Sequence, residues 1–388
     1  MGISRSLIHI WLPNLNPYKN IKGGIQVYSE FLIQAMQNLY SKSNYEIFSK
    51  HDTSKPPAAF NVRNTRFNFV GNWPLALRTA VFALQLLLFG IWQRPRLVLT
   101  IHLNFTPVAY WLKCLTGIPY WTVAHGVDAW NIKSPSLQRA LHHADRILSV
   151  SGYTRDRLLK EQNLDPKKIS ILPNTFDANL FKIAPKPVEL LKRYNLTPEQ
   201  PVILTLGRLS KLEQYKGYDK ILAALPQIRQ TIPNVHYIIA GKGDDRSRVE
   251  NLIGELNLQD CVTLAGFIPD AELCQHYNLC DVFAMPSKGE GFGIVYLEAL
   301  ACGKPTLGGN KDGALDALCH GELGALVDPD NVDEIAQTLI QILQGKYSHP
   351  IMYQPEILRK RVIEIFGFER FQQTLAELIK YSTTGETS

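Results

Sequence analysis

Two glutamates eight positions apart frame a glycine-rich loop at residues 287–299, which reads SKGEGFGIVYLEA. The three glycines let a ligand approach the backbone, and the apolar run after them predicts a helix whose first N–H groups can bind phosphate. Glu290 lies in the loop, and Glu298 lies about one and a half turns into the helix. Because carboxylates accept hydrogen bonds from hydroxyls, the segment suits a phosphate with hydroxyl-rich groups on either side, as in a nucleotide sugar. A solvated loop before a core helix is the alternative.

Two cations follow the predicted strand at residues 202–206. Arg208 comes directly after that strand, and Lys216 follows a polar loop and precedes Gly217. A planar guanidinium and a compact ammonium at the carboxyl end of a strand suit a diphosphate. Lys211 lies closer to Arg208 in the sequence and is the alternative partner.

A glycine pair and a histidine occupy similar positions in the N-terminal half. Gly23 and Gly24 lie between the first predicted strand and a predicted helix at residues 25–39, where glycines allow a phosphate to approach. His125 ends another strand, before a glycine, at the sheet edge where α/β proteins place their sites. A lone histidine is more often structural, but this position favours a functional one. Asp128 and Trp130 follow and are candidates for shaping the acceptor side.

Short apolar runs alternate with helical patterns along the whole chain, which predicts parallel sheets covered on both faces. The first series of predicted strands is at residues 7–12, 45–49, 97–102, 120–124, 146–150 and 169–172. The second is at residues 202–206, 236–240, 262–265, 282–285, 306–307 and 325–327. Prolines cluster between the two series, at residues 183–201. The sequence therefore predicts an α/β protein with two doubly wound domains.

Together these motifs resemble the retaining glycosyltransferases of family four. The resemblance implies the GT-B fold, in which two Rossmann-like domains face each other across a cleft. The acceptor-binding domain would span residues 1–185, and the nucleotide-sugar-binding domain would span residues 200–350. The segment 351–388, with a helix expected at residues 356–381, would cross back to the N-terminal domain.

The resemblance also assigns roles to the candidate residues. Glu290 would contact the donor sugar and Glu298 the nucleotide ribose, while Arg208 and Lys216 would neutralise the leaving diphosphate. Lysine usually follows arginine by five residues in this family, but by eight here, and this longer loop favours Lys216 over Lys211. His125 would contact the transferred sugar. The remaining donor-binding positions would be Gly23 and Gly24 over the diphosphate, Phe267 and Ile268 at the base, and Phe292, Gly293 and Ile294 at the start of the helix.

The implied reaction is retaining transfer of a sugar from a UDP- or GDP-linked donor to a saccharide or lipid-linked acceptor. It would need no metal and no further cofactor. Asp244 and Asp245 form an adjacent pair without further ligands, and the AGKGDD loop lacks the third glycine of a redox dinucleotide site. Glu290 would position the sugar, and a covalent intermediate on it is the less favoured route. A GT-B nucleotide-sugar epimerase and a silent nucleotide-sugar-binding protein are the alternatives.

Charge and composition indicate the partners and the compartment. The 388 residues carry a net charge of +6, and residues 1–190 hold 22 Lys and Arg against 10 Asp and Glu. A basic half suggests an anionic partner; no nucleic-acid motif accompanies it, and an anionic membrane surface fits it equally well. Six cysteines without metal spacing predict free thiols in the cytoplasm, and Arg5 and His9 argue against a signal peptide.

The segment at residues 75–92 reads LALRTAVFALQLLLFGIW, with only Arg78 and Gln85 interrupting its apolar run. Because a fully spanning helix needs ~20 apolar residues, we expect a core helix. A helix lying on the inner face of the membrane is the alternative, with the enzyme attached peripherally and weakly through anionic lipid.

Overall fold

The computed structural model describes residues 7–16, 23–54 and 64–384. Contacts divide the chain into two compact units. The first unit extends to Asn174 and includes the residues from Glu369 onward, and the second unit runs from Thr175 to Phe368. The division falls ahead of the proline cluster at residues 183–201.

The first unit is built on a seven-stranded parallel sheet, with strand order β3-β2-β1-β4-β5-β6-β7. Its strands are β1 (Leu7–Leu12), β2 (Asn44–Ser49), β3 (Thr65–Phe69), β4 (Leu97–Thr100), β5 (Tyr120–Ala124), β6 (Arg146–Ser149) and β7 (Ile169–Ile171). The six predicted strands are confirmed to within a few residues at their ends. The edge strand β3 was not predicted, because its sequence TRFNF is only partly buried and carries an exposed arginine.

Helices cover this sheet: α1 (Gly24–Leu39), α2 (Leu75–Gln93), α3 (Thr106–Thr116), α4 (Pro135–His143) and α5 (Gly152–Gln162). The C-terminal helix α14 (Phe368–Thr384) also packs in this unit. Phe371 of α14 lies edge-on to Tyr28 of α1, with ring centroids 5.8 Å apart, and Asn38 donates a 2.9 Å hydrogen bond to Gln372.

The second unit contains a six-stranded parallel sheet, with strand order β10-β9-β8-β11-β12-β13. Its strands are β8 (Val202–Leu206), β9 (His236–Ala240), β10 (Val262–Gly266), β11 (Val282–Met285), β12 (Thr306–Gly309) and β13 (Ala325–Val327). All six were predicted. The central strands are apolar and buried, as expected for a parallel sheet with helices on both faces.

The helices of the second unit are α6 (Val188–Arg193), α7 (Tyr218–Thr231), α8 (Arg246–Glu255), α9 (Asp270–Leu279), α10 (Ile294–Ala301), α11 (Ala314–Ala317), α12 (Val332–Leu343) and α13 (Pro355–Phe366). The single helix predicted at residues 356–381 is wrong, because the chain forms α13 and α14 there. Gly367 between them is extended, with φ −62° and ψ 159°. A side chain at this glycine would come within 2.5 Å of the Ile363 carbonyl.

The expectation that residues 75–92 form a core helix is also wrong. Only Phe82, Leu86 and Gly90 of α2 are buried, and Gly90 packs against Leu112 of α3. The opposite side is open, since Leu84 is 57% and Leu88 is 56% exposed. Among the residues that the structure describes, α2 is the one helix that is long and apolar enough to cross a membrane by length and composition. Its apolar surface therefore lies largely outside the core of the unit.

Candidate functional site

Lys216 and Arg208 flank the loop between β8 and α7 in the second unit. Lys216 ends a 3₁₀ segment, Lys211–Lys216, and its side chain is only 12% exposed. It lies against Gly207, where a Cβ atom would come within 3.0 Å of the lysine Cδ. Arg208 is 69% exposed, and Lys211 is exposed at the start of the 3₁₀ segment. Of the two lysines considered from the sequence, Lys216 is the one held inside the site.

Two carboxylates neutralise these cations. Lys216 donates a short hydrogen bond to Glu290 and lies 3.6 Å from Glu213. Arg208 forms a close ion pair with the other oxygen of Glu213. Burial lowers the pKa of Lys216, but the two carboxylates outweigh it and raise that pKa above its ordinary value. Lys216 is therefore a firmly protonated cation at neutral pH.

The Glu290 loop is held by a buried carboxylate that the sequence analysis missed. Asp312 accepts 2.7 Å hydrogen bonds from the Glu290 N–H and the Ser287 hydroxyl, and a 2.9 Å bond from the Ala314 N–H. Burial raises the pKa of Asp312 to about 7, despite these bonds. Asp312 follows β12 at the carboxyl edge of the sheet, which is the signal that could have identified it.

The start of α10 has the expected geometry of an anion-binding helix end. Gly293 is its N-cap, with φ +88°, and a side chain there would also come within 2.5 Å of the Tyr296 ring. The first N–H groups of such a helix have no intrahelical acceptor. Phe292 is buried against Phe366, with ring centroids 5.5 Å apart, and Ile294 is buried as well. These two residues can reach a ligand through their backbone, while their side chains pack in the core.

Glu298 lies inside α10 and is partly buried. Tyr277 of α9 donates a 2.7 Å hydrogen bond to its Oε2 atom. Burial raises the pKa of Glu298 to about 7, and the tyrosine bond opposes that rise. The carboxyl group is therefore poised to change its proton occupancy near neutral pH.

The turn after β10 carries the two predicted base-contacting residues. Gly266 ends the strand with φ +72°, Phe267 is partly exposed and Ile268 is buried. The Lys242 ammonium lies 5.4 Å from the centre of the Phe267 ring. The turn thus carries a partly exposed aromatic ring beside a cation.

Asp244 and Asp245, at the start of α8, have structural partners. Asp244 accepts a 2.9 Å hydrogen bond from the Lys211 N–H. Asp245 is fully buried and accepts bonds from Arg248, Tyr218 and Gln214. Across the described ranges, no three His, Cys, Asp or Glu side chains are grouped as a metal site would need.

His125 follows β5 in the first unit and is fixed by its neighbours. Its Nε2 atom lies 2.7 Å from the Ile101 carbonyl, and the backbone N–H of His125 donates a 3.0 Å hydrogen bond to the Asp128 carboxylate. The Tyr28 ring meets the imidazole edge-on at 5.1 Å. Burial lowers the pKa of His125 to about 4. Because a carbonyl only accepts hydrogen bonds, Nε2 carries the proton of the neutral ring, and Nδ1 is left as an acceptor.

The glycine pair is at the start of α1. Gly23 is the N-cap residue, and its N–H donates a 2.6 Å hydrogen bond to the Gln26 side chain. Gly24 is exposed. Lys22, which precedes them, lies outside the described residues.

The structure thus brings Arg208, Lys216 and Glu290 together in the second unit, with Glu298 further along α10. His125, Gly23 and Gly24 belong to the first unit. Besides Asp312, the sequence analysis missed Glu213 and Tyr277. Glu213 was visible as the one acid between Arg208 and Lys216, whereas nothing in the sequence places Tyr277 beside Glu298.

Comparison with known proteins gives the family. Residues 189–363 match the family described as "Glycosyl transferases group 1", and residues 22–180 match the one described as "Glycosyltransferase Family 4". A GDP-mannose-dependent alpha-(1-6)-phosphatidylinositol monomannoside mannosyltransferase of Mycobacterium tuberculosis is 34% identical over 53% of this chain and 54% of its own length. The match thus spans about half of that relative. A D-inositol 3-phosphate glycosyltransferase of Mycobacterium sp. strain KMS is 25% identical over 85% of this chain and 80% of its own length.

Solved structures share the architecture. Sucrose-phosphate synthase from Thermosynechococcus elongatus aligns with a TM-score of 0.81 at 22% identity, covering 98% of this chain and 100% of that one. HepE of Anabaena in complex with UDP aligns with a TM-score of 0.76 at 19% identity, covering 96% and 99%. With two parallel-sheet α/β domains and both family matches, this chain belongs to the group 1, family-four glycosyltransferases and has the GT-B fold.

Proposed function

We propose that this protein transfers a sugar from a UDP- or GDP-linked donor to an acceptor hydroxyl with retention of configuration. The observation that carries the proposal is Lys216, a protonated ammonium that pairs with Glu290 and whose side chain is only 12% exposed. A diphosphate bound there would meet this ammonium, the Arg208 guanidinium and the first N–H groups of α10. These three groups are complementary to negative charge that grows during the reaction.

The proposed reaction breaks the bond between the anomeric carbon and the diphosphate oxygen, and the electron pair leaves with the diphosphate. The acceptor oxygen then forms a bond to the same face of the anomeric carbon, and its proton passes to the departing phosphate oxygen. Glu290 would hold hydroxyls of the sugar in place. Because cationic side chains and a helix end supply the charge stabilisation, we propose that the reaction is independent of metal ions.

His125 would orient the transferred sugar. Its neutral ring offers Nδ1 as an acceptor, since Nε2 faces the Ile101 carbonyl. A sugar hydroxyl is a donor of the matching kind. A charged imidazolium in this position would have no such acceptor, so the low pKa of His125 serves the proposed role.

We further propose a lipid-linked acceptor and peripheral attachment to the inner face of the membrane. One matched relative carries a phosphatidylinositol monomannoside acceptor in its name. The open side of α2 presents Leu77, Leu84, Leu88 and Ile91 at helical spacing, and Trp92 ends this stripe with 78% exposure.

The neighbouring helix extends the same kind of surface. Trp111 and Leu115 of α3 are exposed one turn apart, and neither α2 nor α3 contains an acidic residue. Tryptophan at the ends of an apolar stripe suits the boundary between lipid and water. The basic balance of the N-terminal half favours an anionic lipid surface over nucleic acid, for which the chain carries no motif.

The direct test of the proposed function is sugar transfer in the presence of EDTA. The protein is incubated with a panel of UDP- and GDP-sugars and a phosphoinositide-type glycolipid acceptor in anionic vesicles. We expect transfer with the anomeric configuration retained, at a rate that EDTA does not change. Loss of activity in EDTA that added Mg²⁺ or Mn²⁺ restores would contradict metal independence. Formation of a new sugar isomer without acceptor would favour an epimerase. Binding of the donor without turnover would favour a silent nucleotide-sugar-binding protein.

Nucleotide affinity is expected to depend on pH through Glu298. Ribose hydroxyls donate to the ionised carboxylate, so the bound state favours the deprotonated form. With a pKa of about 7 in the free protein, the carboxyl must lose a proton to bind ribose at lower pH. Affinity for the nucleoside diphosphate should therefore fall about tenfold from pH 8 to pH 6, which calorimetry can measure.

Two variants separate the titration of Glu298 from that of the nucleotide phosphate, which also titrates near pH 6. Glu298→Gln should weaken binding about tenfold at pH 8 and keep only the shallower pH dependence of the phosphate. Glu290→Gln should not weaken binding of the bare nucleotide, because Glu290 is assigned to the sugar. An equal loss of affinity in both variants would contradict the two assignments.

A further inference from the structure

Glu213 touches both cations of the candidate diphosphate site. One carboxylate oxygen pairs closely with Arg208, and the other lies 3.6 Å from Lys216. Its side chain is 11% exposed, so the carboxylate is largely shielded from water. A shielded carboxylate interacts more strongly with neighbouring charges than an exposed one does.

The backbone around Glu213 is fixed on both sides. The Glu213 N–H donates a 2.8 Å hydrogen bond to the Ser210 carbonyl, and the Tyr215 carbonyl accepts a 3.0 Å bond from the Lys288 N–H. Gly289 packs on the Tyr215 ring, where any side chain would come within 2.5 Å of it. Glu213 thus lies in a segment that is hydrogen-bonded to the Glu290 loop. Its backbone is therefore held in place when a ligand binds beside it.

The charges in this cluster cancel. Arg208 and Lys216 contribute two positive charges, while Glu213 and Glu290 contribute two negative ones. Glu290 has a role towards the sugar in the proposed function, but Glu213 has none there. A diphosphate that binds the two cations must approach the Glu213 carboxylate, which it repels.

We infer that Glu213 is a built-in counter-anion: it positions Arg208 and Lys216 in the donor-free enzyme and weakens the binding of the nucleoside diphosphate product. This inference rests on the proposed function of the site. When the diphosphate binds, the exposed Arg208 turns from Glu213 to the ligand, whereas the largely shielded Lys216 stays in place. After the sugar has been transferred, Arg208 forms its ion pair with Glu213 again, and this competition favours release of the diphosphate.

The test is the affinity of the 388-residue protein for UDP and GDP, measured by calorimetry. Glu213→Gln removes the charge at constant size and should tighten binding about tenfold, or ~1.4 kcal/mol. Glu213→Asp keeps the charge and should stay within about twofold of wild type. Glu255→Gln removes an exposed acid at the end of α8 and serves as the matched control, with no expected change.

Tighter binding is the decisive result, because damage to the fold would weaken it. Glu213→Ala is the second charge-free variant and should tighten binding in the same way. If wild type binds UDP or GDP and both charge-free variants bind equally or more weakly, the inference is wrong and the proposed function stands. Failure of both variants to fold would assign Glu213 a structural role and overturn the inference. If wild type binds neither nucleotide, the proposed function fails and the inference fails with it.

Discussion

Replacing Lys216 with alanine is expected to reduce turnover about a hundredfold or more, which corresponds to roughly 2.7–4 kcal/mol of transition-state stabilisation. The ammonium is held in place before the reaction, beside Glu290, so it needs no rearrangement as charge grows on the leaving diphosphate. Arg208→Ala should have an effect of similar size, because the guanidinium turns from Glu213 to the bound diphosphate and stabilises the same growing charge. The measurement is the transfer rate at saturating donor and acceptor.

Lys211→Ala is the matched control. Lys211 is exposed at the other end of the same 3₁₀ segment, and its alanine variant should keep wild-type turnover to within about twofold. Removing Lys216 also leaves the Glu290 carboxylate without its cation and Glu213 paired with Arg208 alone. The melting temperature of each variant must therefore be measured, and rates compared well below it. Near-normal turnover in Lys216→Ala with loss of activity in Lys211→Ala would show that the long loop was aligned wrongly.

The two sheets could be predicted because nearly every strand is a short apolar run between turn residues. Strand β3 was missed because it lies at an edge of the sheet, where its side chains are only partly buried and need not be apolar. Helix α2 shows a different limit. Its apolar composition indicates contact with something other than water, and a protein core and a lipid surface select the same residues. The fold decides against a core position, because it leaves most of α2 uncovered.

Some residues of the candidate site could likewise be predicted from the sequence, and others could not. Residues whose roles depend on local chain geometry were visible in the sequence, such as Glu290 in its glycine loop and Glu298 in the following helix. Asp312 and Glu213 act through contacts that folding creates: Asp312 reaches back to the N–H of Glu290, and Glu213 bridges two cations. The sequence shows where Asp312 and Glu213 lie along the chain, but not these pairings, because each contact joins groups that only folding brings together.

The apolar side of α2 gives the second large expected effect. Leu84→Glu/Leu88→Glu should lower binding to anionic vesicles about a hundredfold or more. Transfer of a leucine side chain from water to lipid contributes ~1.5–3 kcal/mol, so two lost leucines remove about 3 kcal/mol or more, before the repulsion between the new carboxylates and the anionic lipid is counted. Both side chains are more than half exposed, so the substitutions should leave the melting temperature of the protein almost unchanged. Sedimentation with vesicles containing anionic lipid measures the partition coefficient.

Salt and a control variant distinguish membrane attachment from a general effect of added charge. Each Lys or Arg near an anionic surface contributes about 1 kcal/mol within a Debye length, so wild-type binding should fall steeply between low and high salt. Leu212→Glu/Ile357→Glu places the same charges on two exposed apolar positions of the second unit and should bind vesicles like wild type. If the wild-type protein does not bind anionic vesicles even at low salt, the proposed lipid-facing role of α2 is wrong. A soluble acceptor would then be the better proposal, and the stripe would require a protein partner to cover it.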